Sequence, residues 1–381
     1  MIYLKLCWVQ ETQGELLDIY SFMKLIHVAS YKDEFFNGIK SVLEELVPEQ
    51  RNLGHDVYVL NHEYNERTII PREKYISSKK DSVNAVVEIK PDLVVFHSLY
   101  GLNDVLCSWY LNNKNIPYLV EPHGGTSSEN AKKNWLKKKI ANFVYANRFI
   151  GKAAGIVYLN EKEKDECVFK NVRRNYAVIP NGTHIHQRLG WNENESKVRF
   201  MFLARIDIIQ KGLDLLFPAI EVFNSRGLKD KVEFHFYGKA RNPQWGRMFD
   251  EYIASSDGNV FFHGSAIGRD KELAFENNDV FILTSRYEGM PMAVLEALSY
   301  GSPCIVTPQT NMAELIADNH AGWVTTTDVQ SIADTLYKAY NEYIANRESY
   351  IQNALNAVLP YDWGRIAQKS IQEYLRLISQ Q

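Results

Sequence analysis

Residues 279–301 read DVFILTSRYEGMPMAVLEALSYG and place two glutamates around the start of an apolar helix. The run DVFILTS is typical of a buried strand in a parallel sheet, and Pro291 suits the first position of the helix that follows. Glu288 then lies at the carboxyl end of the strand, and Glu296 lies inside a helix that is apolar on nearly every side. Because an unpaired buried carboxylate costs several kcal/mol, the sequence predicts that a basic side chain or the hydroxyl groups of a ligand pair with these carboxylates.

Short apolar runs alternate with helix-period segments along the chain, which is typical of α/β domains with parallel sheets. In the first half the strand candidates are KLIHVA (24–29), DVYVL (56–60), DLVVFH (92–97), PYLVEP (117–122), GIVYLN (155–160) and YAVIP (176–180). After a polar segment at 180–197 they are VRFMFLA (198–204), VEFHFYG (232–238), NVFFHG (259–264), DVFILTS (279–285), SPCIVT (302–307) and GWVTT (322–326). The pattern predicts two Rossmann-like domains, at 23–190 and 191–358, that face a cleft with ligands at the carboxyl ends of the strands.

The composition is that of a globular protein in water. Among 381 residues, 43 are basic, 46 are acidic and 45% are hydrophobic, which argues against a general nucleic-acid-binding function. No apolar run reaches the ~20 residues of a membrane span, the four cysteines lack C-x-x-C spacing, and acidic residues interrupt any signal peptide. We therefore expect a cytoplasmic protein.

Residues 1–22 precede the first strand, either as an N-terminal extension or through a misassigned start codon.

A second candidate ligand site lies in the turn after the first strand of the second half, FLARIDIIQKG (202–212). Arg205 and Lys211 stand six residues apart in this strand-to-helix turn. A fork-shaped guanidinium and an ammonium at such a turn suit the oxygens of a phosphate group. The alternative is a pair of solvated surface charges.

The pattern E-G-x-P-x-x-x-x-E-A after a strand resembles the two-glutamate signature of the retaining glycosyltransferases with the GT-B fold. The resemblance is closest to glycosyltransferase family 4, the bacterial group 1 glycosyl transferases, and covers residues 23–381. It implies that Glu288 contacts the hydroxyls of a donor sugar and that Glu296 holds the ribose of the nucleotide. The backbone amides that would face the sugar are those of Gly289, Met290 and Pro291.

The same resemblance implies roles for further residues. Arg205 and Lys211 match the family's diphosphate-binding pair. Gly38 matches a glycine in the loop that approaches the diphosphate, although Asn37 stands where a second glycine is usual. His123, in EPHGG (121–125), matches a histidine that reaches the donor sugar. The final segment, 359–381, is similar to the family's last helix, which crosses back onto the first domain.

The resemblance implies transfer of a sugar from a nucleotide sugar to a hydroxyl of a glycan or lipid-linked acceptor. The nucleotide sugar is expected to be UDP-linked, as is usual in the family, and the transfer is expected to proceed with retention. Such transfer would serve the assembly of surface polysaccharides or glycolipids, with Glu288 and His123 as catalytic residues. No Asp-x-Asp, P-loop or G-x-G-x-x-G motif occurs, so we expect neither a metal nor a cofactor. A nucleotide-sugar hydrolase or epimerase of the same fold is the alternative. A glycoside hydrolase, which needs two carboxyl groups across open space, and a catalytically silent sugar-nucleotide sensor fit less well.

A basic segment at 131–160 contains six lysines and one arginine and no acidic residue. Basic amphipathic helices bind anionic membrane surfaces. The alternative is a helix packed on its own sheet with solvated lysines, and the two interpretations are compatible. The candidate membrane-contact residues are Lys132, Lys133, Lys137, Lys138 and Lys139.

Overall fold

The computed structural model describes residues 22–32, 38–63, 70–123, 145–167, 169, 175–186, 197–256 and 258–380. Within these ranges the chain forms two compact units. Unit 1 comprises the described residues up to Pro180 together with those from Trp363 onward, and unit 2 comprises Asn181–Asp362. The division at Pro180 falls at the start of the polar segment between the two sets of predicted strands.

Unit 1 is built on a sheet of seven parallel strands, in the order β3-β2-β1-β4-β5-β6-β7. The strands are β1 (Lys24–Ala29), β2 (Asp56–Asn61), β3 (Glu73–Tyr75), β4 (Leu93–Phe96), β5 (Tyr118–Val120), β6 (Gly155–Tyr158) and β7 (Tyr176–Val178). The helices between them are α1 (Gly38–Asn52), α2 (Lys79–Ile89), α3 (Leu102–Asn113), α4 (Asn147–Gly151) and α5 (Glu161–Asp165). All four residues of β4 are buried, as expected for a central strand of a parallel sheet.

Unit 2 is built on a sheet of six parallel strands, in the order β10-β9-β8-β11-β12-β13. The strands are β8 (Val198–Leu203), β9 (Val232–Tyr237), β10 (Val260–Phe262), β11 (Val280–Leu283), β12 (Cys304–Val306) and β13 (Gly322–Val324). The helices are α6 (Leu213–Phe223), α7 (Pro243–Ser255), α8 (Arg269–Glu276), α9 (Met292–Ser299), α10 (Ala313–Asp318) and α11 (Val329–Val358).

The strand order reverses once in each sheet. In unit 1 the chain moves from β1 to one edge and returns to pair β4 against the other side of β1. Unit 2 repeats this order with β11 beside β8. Loops that leave two such neighbouring strands diverge and open a crevice, where Rossmann-like proteins bind ligands. The prediction of two Rossmann-like α/β domains is confirmed.

All twelve predicted strands are present, and the sequence missed only β3 among the described residues. Its sequence, Glu73-Lys74-Tyr75, lacks the apolar pattern on which strand prediction depends. The strand is short, lies at the edge of its sheet, and leaves Lys74 and Tyr75 exposed. Edge strands with charged side chains carry little hydrophobic signal.

The last helix, α12 (Trp363–Ser379), belongs to unit 1 and packs against α1. A 3-10 turn at Leu359–Tyr361 separates it from α11. Its buried face consists of Trp363, Ile366, Ala367, Ser370, Ile371, Tyr374 and Leu377. The predicted return of the final helix to the first domain is therefore confirmed.

In the described ranges, no helix has both the length and the apolar character that crossing a bilayer requires.

Candidate active site

Two loops of unit 2 leave the sheet at the point where its strand order reverses. The loop after β8 carries Arg205 and Lys211, and the loop after β11 carries Glu288. Because β8 and β11 are parallel neighbours, paired at Val280 and Phe200, both loops begin at the same edge of the sheet. Residues that the sequence analysis took from two separate motifs thus meet at one place.

Lys211 and Glu288 form an ion pair in this place. The ammonium Nζ of Lys211 lies 2.6 Å from the carboxylate Oε1 of Glu288, and the hydroxyl of Ser285 donates to the same oxygen at 2.6 Å. The two charged side chains are only 10% and 12% exposed. The basic partner predicted for this carboxylate is therefore Lys211, which the sequence analysis had assigned only to a phosphate.

Arg205 lies on the same loop, six residues before Lys211. Its Nε is buried, and no hydrogen-bond partner for it is found among the described residues. A buried N–H without an acceptor costs about 1–3 kcal/mol, so this group fits a site that receives an anionic ligand.

The two loops touch through their backbones. Gly212, which precedes α6, has φ +66°, and a Cβ at this position would lie 2.2 Å from the carbonyl oxygen of Thr284. The hydroxyl of Thr284 donates to the carbonyl of Lys211 at 3.2 Å. Glycine is required here both by the left-handed backbone and by the close approach of the second loop.

Arg286 fastens the loops together, and sequence reasoning missed it. Its backbone N–H donates to the carbonyl of Gln210 at 2.8 Å, and its guanidinium donates to the carbonyl of Ile209 at 2.7 Å. The guanidinium also bonds both oxygens of Asp214 in α6, at 2.6 and 2.8 Å, and these bonds raise the pKa of Arg286. The local sequence SRYEG does not distinguish an arginine that holds two loops together from a solvated arginine, because the partners of Arg286 are 77 and 72 residues away in sequence.

The turn between Glu288 and α9 is held by two asparagines. The amide of Asn311 donates to the carbonyls of Glu288 and Gly289, at 2.8 and 2.9 Å. The amide of Asn181 donates to the carbonyl of Met290 at 2.9 Å. These bonds fix the peptide groups of the three residues whose backbone the resemblance places against a sugar.

Helix α9 begins one residue later than predicted. Pro291 is its N-cap, with φ −73° and ψ 117°, and Met292 is the first helical residue. The placement of Pro291 at the first helical position is therefore wrong by one residue. The extended ψ lets the carbonyl of Pro291 accept from the N–H of Val294 at 3.2 Å, so Pro291 still begins the first turn.

Glu296 pairs with Lys271 of α8, whose Nζ lies 2.6 Å from its Oε1. The carboxylate side chain is 21% exposed, whereas its neighbours Leu295 and Ala297 have no exposed surface. The expectation that Glu296 is buried among apolar residues is therefore wrong, because its side chain leaves the apolar face of α9 toward α8. Lys271 lies 25 residues earlier, and the sequence analysis did not single it out.

In unit 1, the two predicted site residues follow β1 and β5. Gly38 is the first residue of α1, and a Cβ there would meet no atom within 4 Å. His123 has a left-handed backbone, with φ +48°, and its side chain is 11% exposed. Burial lowers the pKa of His123 to about 4, so the imidazole is neutral at physiological pH. Asn37 lies outside the described residues, as do the candidate membrane-contact lysines at 132–139.

One group of side chains in the described ranges could hold a metal ion. His97, Glu121 and His123 offer ligand atoms that all lie within 4.8 Å of one another. The closest two, Nδ1 of His97 and Nε2 of His123, are 2.7 Å apart and share a hydrogen bond. Burial, reinforced by Glu163, raises the pKa of Glu121 to about 8, so this carboxyl group is largely protonated at neutral pH.

Comparison with known proteins identifies the fold and then the family. The structure of a glycosyltransferase from Rickettsia africae has a TM-score of 0.72 and 15% identity, covering 94% of this chain and 100% of that one. The Anabaena protein HepE in complex with UDP-glucose has a TM-score of 0.69 and 16% identity, over 93% and 99% of the two chains. The two-domain fold is thus that of the GT-B glycosyltransferases.

Sequence comparison is more specific. Residues 197–342 match the family described as glycosyl transferases group 1, and residues 36–187 match glycosyltransferase family 4. A curated relative from Campylobacter jejuni, N,N'-diacetylbacillosaminyl-diphospho-undecaprenol alpha-1,3-N-acetylgalactosaminyltransferase, is 27% identical over 281 residues, which are 69% of this chain and 72% of that protein. The chain belongs to the group 1 glycosyl transferases of family 4, and the resemblance to this family that was stated from the sequence is confirmed.

Proposed function

We propose that this glycosyltransferase moves a sugar from a UDP-linked donor to a hydroxyl of a lipid-linked glycan, with retention and without a metal ion. The observation that carries the proposal is the pairing of Lys211 with Glu288 beside Arg205, whose Nε has no partner among the described residues. Two cations and one carboxylate at a strand-order reversal suit a ligand that carries both a diphosphate and hydroxyl groups.

Donor binding would exchange the partners of the ion pair. A diphosphate oxygen competes with Glu288 for the ammonium of Lys211, and the sugar hydroxyls then donate to the carboxylate that Lys211 has released. Each buried charge stays paired throughout, so the exchange avoids the large cost of an unpaired charge. Glu288 would thus become available to the sugar only when a diphosphate occupies Lys211.

In this proposal each of these residues has one role in the reaction. Arg205 and Lys211 stabilise the charge that develops on the leaving diphosphate, which takes up the proton of the acceptor hydroxyl as that hydroxyl attacks from the same face. Glu288 and His123 orient the sugar, which lowers the entropic part of the barrier. Glu296 accepts hydrogen bonds from the ribose. The two cations supply the charge that a divalent metal supplies in metal-dependent enzymes.

Two relatives support the choice of donor and acceptor. HepE, whose fold this chain shares, is described in complex with UDP-glucose. The name of the Campylobacter jejuni relative specifies a diphospho-undecaprenol acceptor. A lipid-linked acceptor requires an enzyme that works at a membrane surface, and the basic segment at 131–160 provides lysines for contact with anionic headgroups.

The test is incubation of the purified protein with a panel of nucleotide sugars, with and without polyprenyl-diphosphate-linked acceptors. We expect transfer only with acceptor, an α-linked product from an α-linked donor by NMR, and unchanged rates in EDTA.

Lys211→Ala should cost a few kcal/mol of transition-state stabilisation. Release of free sugar without acceptor would instead identify a hydrolase, a changed nucleotide sugar would identify an epimerase, and binding without turnover would identify a sensor. Loss of activity in EDTA with recovery in Mg²⁺ or Mn²⁺ would contradict the metal-free mechanism.

A further inference from the structure

Five side chains of unit 1, the first four of them buried, form one hydrogen-bonded chain that ends at His123. The residues, in order, are Ser370 of α12, Gln50 of α1, His27 of β1, His97 after β4 and His123 after β5. The distances between successive polar atoms are 3.0, 2.9, 2.8 and 2.7 Å. The first four side chains belong to residues at most 2% exposed, so water does not compete with these bonds.

The hydroxyl of Ser370 determines which atom carries the hydrogen in each bond of this hydrogen-bonded chain. The hydroxyl of Ser370 lies 2.7 Å from the carbonyl of Ala367, which can only accept, so Ser370 donates its single hydrogen there. Ser370 must then accept from the amide Nε2 of Gln50. The remaining atom of that amide is the oxygen Oε1, which can only accept. His27 therefore carries a proton on Nε2 and donates it to Gln50.

The three histidines transmit this order because each is neutral. A charged imidazole at any of these positions would lie among side chains that are largely shielded from water, and burial disfavours the charged form. A neutral imidazole has one protonated and one unprotonated nitrogen. Nδ1 of His27 is therefore an acceptor, and His97 donates to it from Nε2. By the same step, Nδ1 of His97 accepts from Nε2 of His123, which leaves Nδ1 of His123 unprotonated.

We propose that this hydrogen-bonded chain is a tautomer lock, in which Ser370, Gln50, His27 and His97 are positioning residues that hold His123 with an unprotonated Nδ1. His123 then presents a hydrogen-bond acceptor to its ligand. An acceptor suits a hydroxyl of the donor sugar and repels the oxygens of the diphosphate. The nature of this ligand rests on the proposed function, whereas the proton order rests only on the geometry of unit 1.

The proton order can be measured without any substrate. In protein labelled with ¹⁵N-histidine, long-range ¹H–¹⁵N spectra at pH 7 distinguish protonated from unprotonated ring nitrogens. We expect the Nε2–H tautomer for His27, His97 and His123 in the wild-type protein. Nδ1–H tautomers in the wild type would overturn the proposal, and so would a stoichiometric metal ion bound to His97 and His123, because it would displace the proton between them.

Ser370→Ala tests which residue sets the order. Without the hydroxyl, the amide of Gln50 is free to turn and donate to His27, so we expect a second set of His123 signals with Nδ1 protonated. Ser108→Ala is the matched control, since Ser108 is also buried and also donates to a carbonyl of its own helix, at 2.7 Å. It should leave the histidine signals in a single set. An unchanged tautomer in Ser370→Ala would show that Ser370 does not set the order.

The kinetic consequence is measured separately. In a transferase assay, Ser370→Ala should lower kcat about tenfold, the scale of one hydrogen bond to the reacting sugar, while the KM for the donor changes less than about twofold. Equal losses in Ser370→Ala and Ser108→Ala would indicate a purely structural role and overturn the kinetic part. If the protein transfers no sugar at all, the proposed function fails, and the NMR measurement still decides the tautomer lock.

Discussion

At the scale of single residues, the contact between Lys211 and Glu288 links two roles that the sequence suggested separately. Each residue stabilises the charge of the other at 2.6 Å, and each is proposed to bind a different part of one ligand. A substitution of either one therefore changes the environment of both.

We expect Glu288→Gln to lower kcat by at least about 100-fold, the scale of losing one oriented electrostatic contact in the transition state. Donor affinity should stay constant or rise slightly, because the ammonium of Lys211 no longer has to leave a carboxylate. Glu296→Gln should weaken donor binding more than turnover, since its proposed partner is the ribose. Steady-state kinetics with the donor as varied substrate measure both effects.

Glu276→Gln is the matched control for these changes, because Glu276 also lies in unit 2 and forms an ion pair, with Arg269 of the same helix. It should have near-wild-type kinetics. The role assignment would be lost if Glu288→Gln changed only KM and Glu296→Gln changed only kcat.

The raised pKa of Glu121 makes the free energy of unfolding depend on pH. Its folded pKa of about 8 lies above the unfolded value of 4.5, so its contribution to stability is fully present below pH 4.5 and is lost as pH rises through 8. His27 and His123 act in the opposite direction, since their folded pKa of about 4 lies below the unfolded value of 6.5. Their contribution is present above pH 6.5 and is lost as pH falls toward 4. The free energy of unfolding should therefore be greatest near pH 6.5.

Urea unfolding of the wild type and of Glu121→Gln measures this effect. Between pH 6.5 and 8 the wild type should lose about 1 kcal/mol per pH unit more than the variant. The other groups that act on this cluster, Glu163, Tyr374 and Arg51, are present in both proteins. Parallel curves for the two proteins would show that Glu121 has no raised pKa.

At the scale of elements, the loop after β8 lies so close to the loop after β11 that one added methyl group between them should destabilise the protein and weaken ligand binding. Gly212→Ala places a Cβ 2.2 Å from the carbonyl of Thr284, so the loops must separate and Lys211 must move relative to Glu288. We expect a lower melting temperature and at least a tenfold weaker affinity for UDP, measured by thermal shift with and without the nucleotide.

Gly227→Ala controls for backbone strain alone. Gly227 has φ +81°, and a Cβ there would meet nothing within 4 Å. This variant should lose about 1–2 kcal/mol of stability from the left-handed backbone and bind UDP like the wild type. Equal UDP affinity in both variants would show that the distance between the two loops does not matter for the nucleotide.

The elements were largely predictable from sequence, but the contacts between them were not. Short apolar runs located the twelve strands because burial of apolar residues decides each of them locally. The resemblance selected Arg205, Lys211, Glu288 and His123 from fixed motif spacing. Spacing contains no information on partners from distant segments. The sequence analysis therefore missed the clamp of Arg286, the pairing of Glu296 with Lys271, and the tautomer lock, whose members lie on five different segments.

At the scale of the whole molecule, the basic segment at 131–160 predicts reversible membrane binding. Its lysines are worth ~1 kcal/mol each near an anionic leaflet, and this attraction is screened over ~8 Å at physiological ionic strength. We expect co-sedimentation with anionic but not zwitterionic vesicles at low salt, weakening as salt rises. Changing Lys137, Lys138 and Lys139 together to Glu should abolish vesicle binding and leave UDP affinity unchanged.

The control is a triple change of the same charge elsewhere in unit 1, at Lys80, Lys90 and Lys114, which are all exposed. Compared with the wild type, this control variant should lose only the vesicle binding that its more negative net charge accounts for. Equal loss in both triple variants would mean that overall charge, and not this segment, governs binding. Wild-type protein that ignores anionic vesicles would refute the membrane contact itself.

The return of α12 to unit 1 also determines when a newly made molecule can become active. The sheet of unit 1 is synthesised before residues 181–362, whereas Ser370 is synthesised after them. At ~5–20 residues per second, roughly 10–40 s of translation separate the two. During that interval the face of α1 that α12 covers has no partner, and nothing sets the proton order of the three histidines. The amino-terminal part of the chain therefore gains an oriented His123 only after residues 181–362 have also been made.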